Sequence, residues 1–393
     1  MHRQVLLLAT AQALFQTASA MVVTVGSLAG GLVSATPGLA TAPVASMLLG
    51  TAAMIIPASM WMARRGRRNG FVLGSILGVL GGLVAAWGIH TKSLLVLALG
   101  TALIGAYQAF AQFYRFAASE IATEDYRPRA IALVLAGGVV AAFLGPALGL
   151  YGARLLEPTY AGSFVILAMS CVVAGGLLLG LKNPKAEVLD GRRRTLRAII
   201  SQPNYLVALF GAATGSGVMV LAMTATPLAM AHHQHGLSAS ATVIQAHMLG
   251  MFVPSFFTGT LLARFGVARV MLAGVVLMGA HVAMSASGTG LFSFMSALVL
   301  LGVGWNFLYV GGTTLLTSTY LPGERAMAQA TNDFVIYVVG LASSLGAGVL
   351  LDLAGWRQMN LLLLPWLLIA LVAVCWLRRP RSAAASVPPP LAR

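Results

Sequence analysis

Met219-Val220-Leu221-Ala222-Met223 and His247-Met248-Leu249-Gly250-Met251 each place two soft donors four residues apart within a long apolar stretch. That spacing sets both side chains of a pair on one helix face, about one turn apart. Thioether sulfur and imidazole nitrogen favour copper, above all Cu(I), over the hard cations. Two such helices facing each other form a three-sulfur, one-nitrogen site from Met219, Met223, His247 and Met251. Met also fills irregular apolar cores, and a chain with 18 of them produces such pairs by chance. His247 carries more weight. An imidazole deep in hydrocarbon is costly unless it meets a partner or a cavity, so its alternatives are ligation and an interhelical hydrogen bond.

Further donors are of lower rank. Met47 stands 200 residues before His247 and is a candidate thioether from the other half of the chain. His232, His233 and His235 form a cluster that either collects a metal ion or is a solvated polar loop. His281, with Met284 three residues on, reads as a packing or hydrogen-bonding histidine. Cys171 and Cys375 lack CxxC spacing and read as core thiols. Among the acids, only Asp333 lies a turn or two inside a predicted span, the others falling in loops or at helix ends, which makes it, with His247, the candidate for coupling protons.

The elements that must position these residues follow from composition. Hydrophobic residues make up 59% of the 393 and charged residues 8%, roughly a third of the usual charged share. The apolar residues fall in blocks of about 20 or more, the length that crosses a bilayer core. Twelve spans can be drawn: about 5–33, 40–62, 70–90, 93–118, 130–152, 160–181, 204–230, 237–262, 270–288, 291–320, 327–353 and 358–377. The first apolar run continues to Leu32, too long for a signal peptide ending at Ala20. The net charge of +15 is distributed by topology: of the 24 Lys and Arg, only Lys92, Arg154 and Arg357 fall opposite the rest. That asymmetry predicts a multi-pass protein of the bacterial inner membrane with both termini cytoplasmic, and it argues against nucleic acid as a partner. With these spans, Met219 and His247 share a level near the midplane, roughly 15–17 Å from the outer helix ends. Met223 then lies above them and Met251 below, a ladder suited to an ion in transit.

The polar stretch Lys182–Pro203 separates six spans from six. The predicted organisation is an N-terminal six-helix bundle (1–181), a cytoplasmic linker (182–203), a C-terminal six-helix bundle (204–377) and a cytoplasmic tail (378–393). An offset of 200 relates the halves: Met47-Leu48-Leu49-Gly50 aligns with His247-Met248-Leu249-Gly250, and Ala63-Arg64-Arg65-Gly66 with Ala263-Arg264-Phe265-Gly266. Such a repeat is what a two-bundle secondary transporter produces, with its site between the halves.

Through these residues the chain resembles the major facilitator superfamily. The loop Ser59-Met60-Trp61-Met62-Ala63-Arg64-Arg65-Gly66-Arg67-Arg68 keeps the family's Arg-x-Gly-Arg-Arg ending, so Arg64, Gly66, Arg67 and Arg68 are candidate gating residues. Ala63 and Ala263 stand where the family has Asp, so its gating ion pair lacks the usual acid. Gly145-Pro146-Ala147-Leu148-Gly149 is similar to the family's kink on helix five. The Met219/Met223 and His247/Met251 motifs resemble the CcoA-type copper importers of this superfamily, which supply copper for cbb3-type cytochrome oxidase. A related subgroup is associated with riboflavin uptake.

The resemblance implies an all-α integral membrane protein, with twelve transmembrane helices in two pseudo-symmetric six-helix bundles, working by alternating access. It implies inward transport of copper as substrate, with no permanently bound cofactor. The expected partners are the lipid bilayer and a cytoplasmic copper chaperone or oxidase assembly factors. The other readings are a carrier of an organic solute, riboflavin or drug-like, whose Met-rich face packs an aromatic ring, and a copper-holding assembly factor that transports nothing. No nucleotide-binding loop, aspartyl-phosphate signature or catalytic triad is present, which argues against an enzyme or an ATP-driven pump.

Overall fold

Hydrocarbon offers no hydrogen-bond partners, so an apolar run crosses it as a helix that satisfies its own backbone. A computed structural model describes residues 2–34, 39, 42–182 and 194–377, and these form helices and connections only. The expected tail, 378–393, and residues 183–193 of the expected linker lie outside the described residues.

The first half holds α1 (His2–Val33), α2 (Ala42–Arg65), α3 (Arg67–His90), α4 (Leu94–Ala111), α5 (Tyr114–Ile121), α6 (Arg127–Ala136), α7 (Gly138–Ala153) and α8 (Ala161–Leu179). A short α9 (Leu196–Ile200) leads into the second half. That half holds α10 (Pro203–His232), α11 (Leu237–Phe252), α12 (Ser255–Phe265), α13 (Val267–Ser287), α14 (Leu291–Leu316), α15 (Arg325–Leu361) and α16 (Leu364–Leu377).

Eleven helices among the described residues are long and apolar enough to cross a membrane, against the twelve expected. The segment missing from that set is the first part of α15. The chain then bends at Gly355, whose φ of 71° breaks α15 between the last two expected spans.

The two halves repeat each other's packing. α2 lies on α4 as α11 lies on α14, α3 on α4 as α13 on α14, and α1 on α7 as α10 on α15. Glycines at the repeat offset permit this. A Cβ at Gly50 would meet the Ala102 carbonyl oxygen at 2.2 Å, and one at Gly250 would meet the Val299 carbonyl oxygen at 2.9 Å. Gly66 (φ 88°) and Gly266 (φ 80°) likewise make the same left-handed turn after α2 and after α12. Any other residue would be strained at these two turns.

The halves meet along two seams, α2 against α15 and α6–α7 against α11–α12. A clip outside the membrane fastens the start of α9's approach to the second half: Glu324 accepts from Arg194 Nη2 at 2.6 Å and from its backbone N–H at 2.9 Å. Those bonds hold the Glu324 carboxyl down to about 2 from its ordinary 4.5.

Two tests follow from this packing. Gly105→Val would bring a Cβ to 2.0 Å from the Met47 carbonyl oxygen. It should lower stability by about 1–3 kcal/mol, read as an earlier thermal transition in detergent. Because Glu324 is depressed when folded, its contribution is complete above about 4.5 and fades as pH falls toward about 2. Glu324→Gln should therefore remove part of the stability difference between pH 6 and pH 3, measured by the same melts.

Candidate substrate-binding site

Between the halves lies a cavity of about 370 Å³, within the range of small-molecule sites. α1 contributes Gln12, Gln16, Ser19 and Thr24, a single helix face by spacing, and α4 with its following turn adds Gln108 and Gln112. The second half contributes Ser216 and Met219 from α10, Met248, Met251 and Phe252 from α11, Trp305 and Tyr309 from α14, and Tyr337 from α15. No lining residue is charged. The walls therefore differ in chemistry: amides on the first half, thioethers and aromatic rings on the second. Trp305 stacks on Tyr309 at 4.7 Å between centroids and meets Phe252 edge-on at 6.0 Å. A second recess, at Leu150, Tyr151, Arg154 and Leu155, sits at one helix end and joins no two halves.

Of the expected soft-donor set, the structure brings Met219 and Met251 together on the cavity wall, and it adds Met248. Met223 is half-buried against the hydrophobic core, outside the lining. His247 is fully buried, with its Nδ1 at 2.7 Å from the Leu298 carbonyl oxygen on α14, so its ring packs within the second half. His281 does the same one residue away, its Nδ1 at 2.9 Å from the Ala297 carbonyl oxygen. Met47, the repeat counterpart of His247, is 2% exposed and also faces its own half. In both halves the next residue, Leu48 or Met248, is the one that reaches the cavity.

The histidine cluster does not converge on a point. His235 donates from Nε2 to the Thr289 carbonyl at 2.7 Å, His235 and His233 both pack on Phe294, and His232 is exposed at the end of α10. Among the described residues no three His, Cys, Asp or Glu side chains are grouped to hold a metal ion.

Asp333 lies below the cavity, in the seam at the arginine-rich end. It pairs with Arg115 at 2.5 Å, both side chains 2% exposed. Arg115 is held between Phe116 of the first half and Tyr309 of the second, 4.5 and 4.7 Å from the ring centroids. Gln112 links this pair to the cavity floor: it accepts from Arg115 Nη1 at 3.0 Å and donates to the Tyr337 hydroxyl at 2.6 Å. Farther out, Arg67 donates to Glu120 at 2.7 Å and to Gln329 at 2.6 Å, and Arg325 approaches Glu120 at 3.4 Å. Glu120 thus supplies the acid that Ala63 does not. Gly66 makes the turn, whereas exposed Arg64 and half-buried Arg68 form no ion pair among the described residues. Sequence reasoning missed the site roles of Arg115, Glu120 and the four cavity glutamines, whose partners lie from about 50 to more than 200 positions away or in the cavity itself.

The family model of the Major Facilitator Superfamily matches residues 6–254 and again 219–392. The chain belongs to the major facilitator superfamily. It is similar to the riboflavin transporter RfnT of Brucella anthropi, 37% identical over 98% of both chains. It is 30% identical to the uncharacterized MFS-type transporter YdeG of Bacillus subtilis, over 89% of this chain and 86% of that one. Among solved structures, the fucose transporter FucP in its outward conformation matches with a TM-score of 0.75 at 16% identity, covering 95% of this chain and 98% of FucP. The proton:xylose symporter XylE matches at 0.78 with 12% identity, covering 96% of each chain. These superfamily likenesses fix the fold, an all-helical transporter.

Removing one partner of a buried ion pair strands the other charge, at about 3–5 kcal/mol. Asp333→Asn should therefore open the arginine-rich seam. Spin labels placed across α2 and α15 should show a longer distance population, and an unchanged distribution would show that the pair does not hold the seam.

Proposed function

We propose that this chain carries a neutral, planar organic solute of the flavin type, with riboflavin the first candidate, inward across the bacterial inner membrane by alternating access. The observation that carries this reading is the uncharged cavity between the halves, with amides on one wall and Met219, Met248, Met251, Phe252 and Trp305 on the other. Thioethers and aromatic rings pack well on a flat ring system, and amides suit its polar edge. A phosphate-bearing flavin would bring charge into a site with no cation to meet it. The relative of 37% identity, a riboflavin transporter, supports the same reading.

The basic end is the cytoplasmic one by the positive-inside asymmetry. With that end closed across the halves by the Arg115–Asp333 and Arg325–Glu120 pairs, the geometry corresponds to an outward-facing state. Rocking of the halves would break those pairs and expose the cavity inward. Asp333 is the carboxylate placed to link such a movement to protonation.

Copper import draws on three thioethers along one wall, but the unpartnered His247 Nε2 is buried within the second half and would have to be brought into the cavity to join them. The deciding experiment is uptake of radiolabelled riboflavin by cells lacking their own importer, run beside copper-64. Expected are saturable riboflavin uptake, competition by unlabelled riboflavin but not by its 5′-phosphate, and a tenfold or greater loss on Trp305→Ala. His247→Gln should leave most of the uptake intact. Accumulation of copper without riboflavin would reverse the reading.

A further inference from the structure

The cavity's polar groups divide into those with partners and those without. Gln108 donates to the Tyr337 hydroxyl at 3.2 Å and accepts from Thr51 at 3.2 Å, while Gln112 is committed to Tyr337 and Arg115. Gln12 and Gln16 are different. Both line the cavity, four residues apart on one face of α1, and neither amide has a hydrogen-bond partner among the described residues. Gln12 is only 4% exposed, so its free amide is directed at the cavity and not at bulk solvent. An amide buried in this way costs about 1–3 kcal/mol until something pairs with it. Two of them one turn apart on one face are therefore a site waiting for complementary groups.

Each primary amide offers an acceptor oxygen beside two N–H donors. Two such groups match an edge that alternates carbonyl, N–H and carbonyl, as an uncharged cyclic imide does. One amide accepts from the imide N–H while donating to the adjacent carbonyl, and the other donates to the second carbonyl. The opposite wall, with Met248, Met251 and Trp305, offers surface to the ring system but no competing charge. Ser216, lining the cavity on α10, and the unpartnered indole N–H of Trp305 remain for hydroxyl groups elsewhere on the solute.

We infer that Gln12 and Gln16 are the specificity-determining pair, reading the uncharged imide edge of the solute and rejecting forms in which that edge is blocked. The inference rests on the flavin reading above and adds the residues that recognise the ring. A matching edge would satisfy both amides, and a blocked edge would leave one of them unpaired.

The test uses the purified full-length protein and two probes, riboflavin and N3-methylriboflavin, whose imide N–H is replaced by a methyl group. Binding is followed by quenching of flavin fluorescence. Wild type should prefer riboflavin by roughly tenfold to a hundredfold. Gln12→Leu combined with Gln16→Leu should bring the preference to within about threefold. Its affinity for N3-methylriboflavin should fall less than its affinity for riboflavin, and a thermal melt like that of wild type reports that the variant is folded. Gln12→Asn, which keeps the amide but withdraws it by one methylene, should give an intermediate preference. A full preference retained by these variants would overturn the assignment while leaving the carrier reading in place, as would an equal loss of both ligands by a folded variant. Failure of wild type to bind either flavin would instead remove the carrier reading and the inference with it.

Discussion

A polar side chain in hydrocarbon must find its partner inside the protein or leave its demand unmet, and that constraint sorts the polar groups around the cavity of this chain. Where a partner exists, the side chain fastens structure. Thr51 bonds back to Met47 and across to Gly105, Ser59 bonds to the Ala326 carbonyl across the halves at 2.6 Å, and Arg115 meets Asp333. Where no protein partner exists and the group faces the cavity, as for Gln12 and Gln16, the unmet demand falls on water or solute. The groups that fasten the structure and those left for the solute lie side by side, with Gln112 between them.

The internal repeat explains why the donors expected to meet do not. Position 47 in the first half and 247 in the second occupy the same place on equivalent helices. Each is followed three residues later by a glycine that lets the neighbouring helix approach. Close approach at Gly50 and Gly250 rotates positions 47 and 247 toward that neighbour and positions 48 and 248 toward the cavity. Met251 lies one turn on from His247 and reaches the wall from the edge of the same face. A shared helix face can thus straddle the boundary between core and cavity. Spacing gives the angle between two side chains, but only packing gives the absolute rotation of the helix.

That distinction decides what was legible in the sequence. The helices, their grouping into halves and the turns at Gly66 and Gly266 follow from apolar run length, charge asymmetry and a short repeat, all local or periodic signals. The position of Met219 on the cavity wall was legible for the same reason, since a conspicuous residue on a transporter's seventh helix has few places to go. The pairing of Asp333 with Arg115 was not legible, because the two are 218 positions apart and no local spacing joins them. Gln12 and Gln16 follow the same four-residue rule as the methionines. An amide ligates soft metals poorly, so that spacing by itself does not mark them as a site.

The same division bears on how the cycle is driven. A membrane potential acts on charge, at about 2.3 kcal/mol per elementary charge per 100 mV, and it does nothing to a neutral solute in a neutral cavity. Arg115 and Asp333 move as a neutral pair while they remain bonded, so the potential does not open their seam either. What can open it is a ligand that interacts differently with the two states, since no ligand shifts an equilibrium by more than its differential affinity. Gln112 and Tyr337 line the cavity and also bind each other across the halves, and Gln112 further supports Arg115. A solute that takes over either hydrogen bond competes with the contact that closes the floor. Binding and opening would then be joined at the cavity floor, where the Gln112 amide and the Tyr309 ring both touch Arg115 and line the cavity.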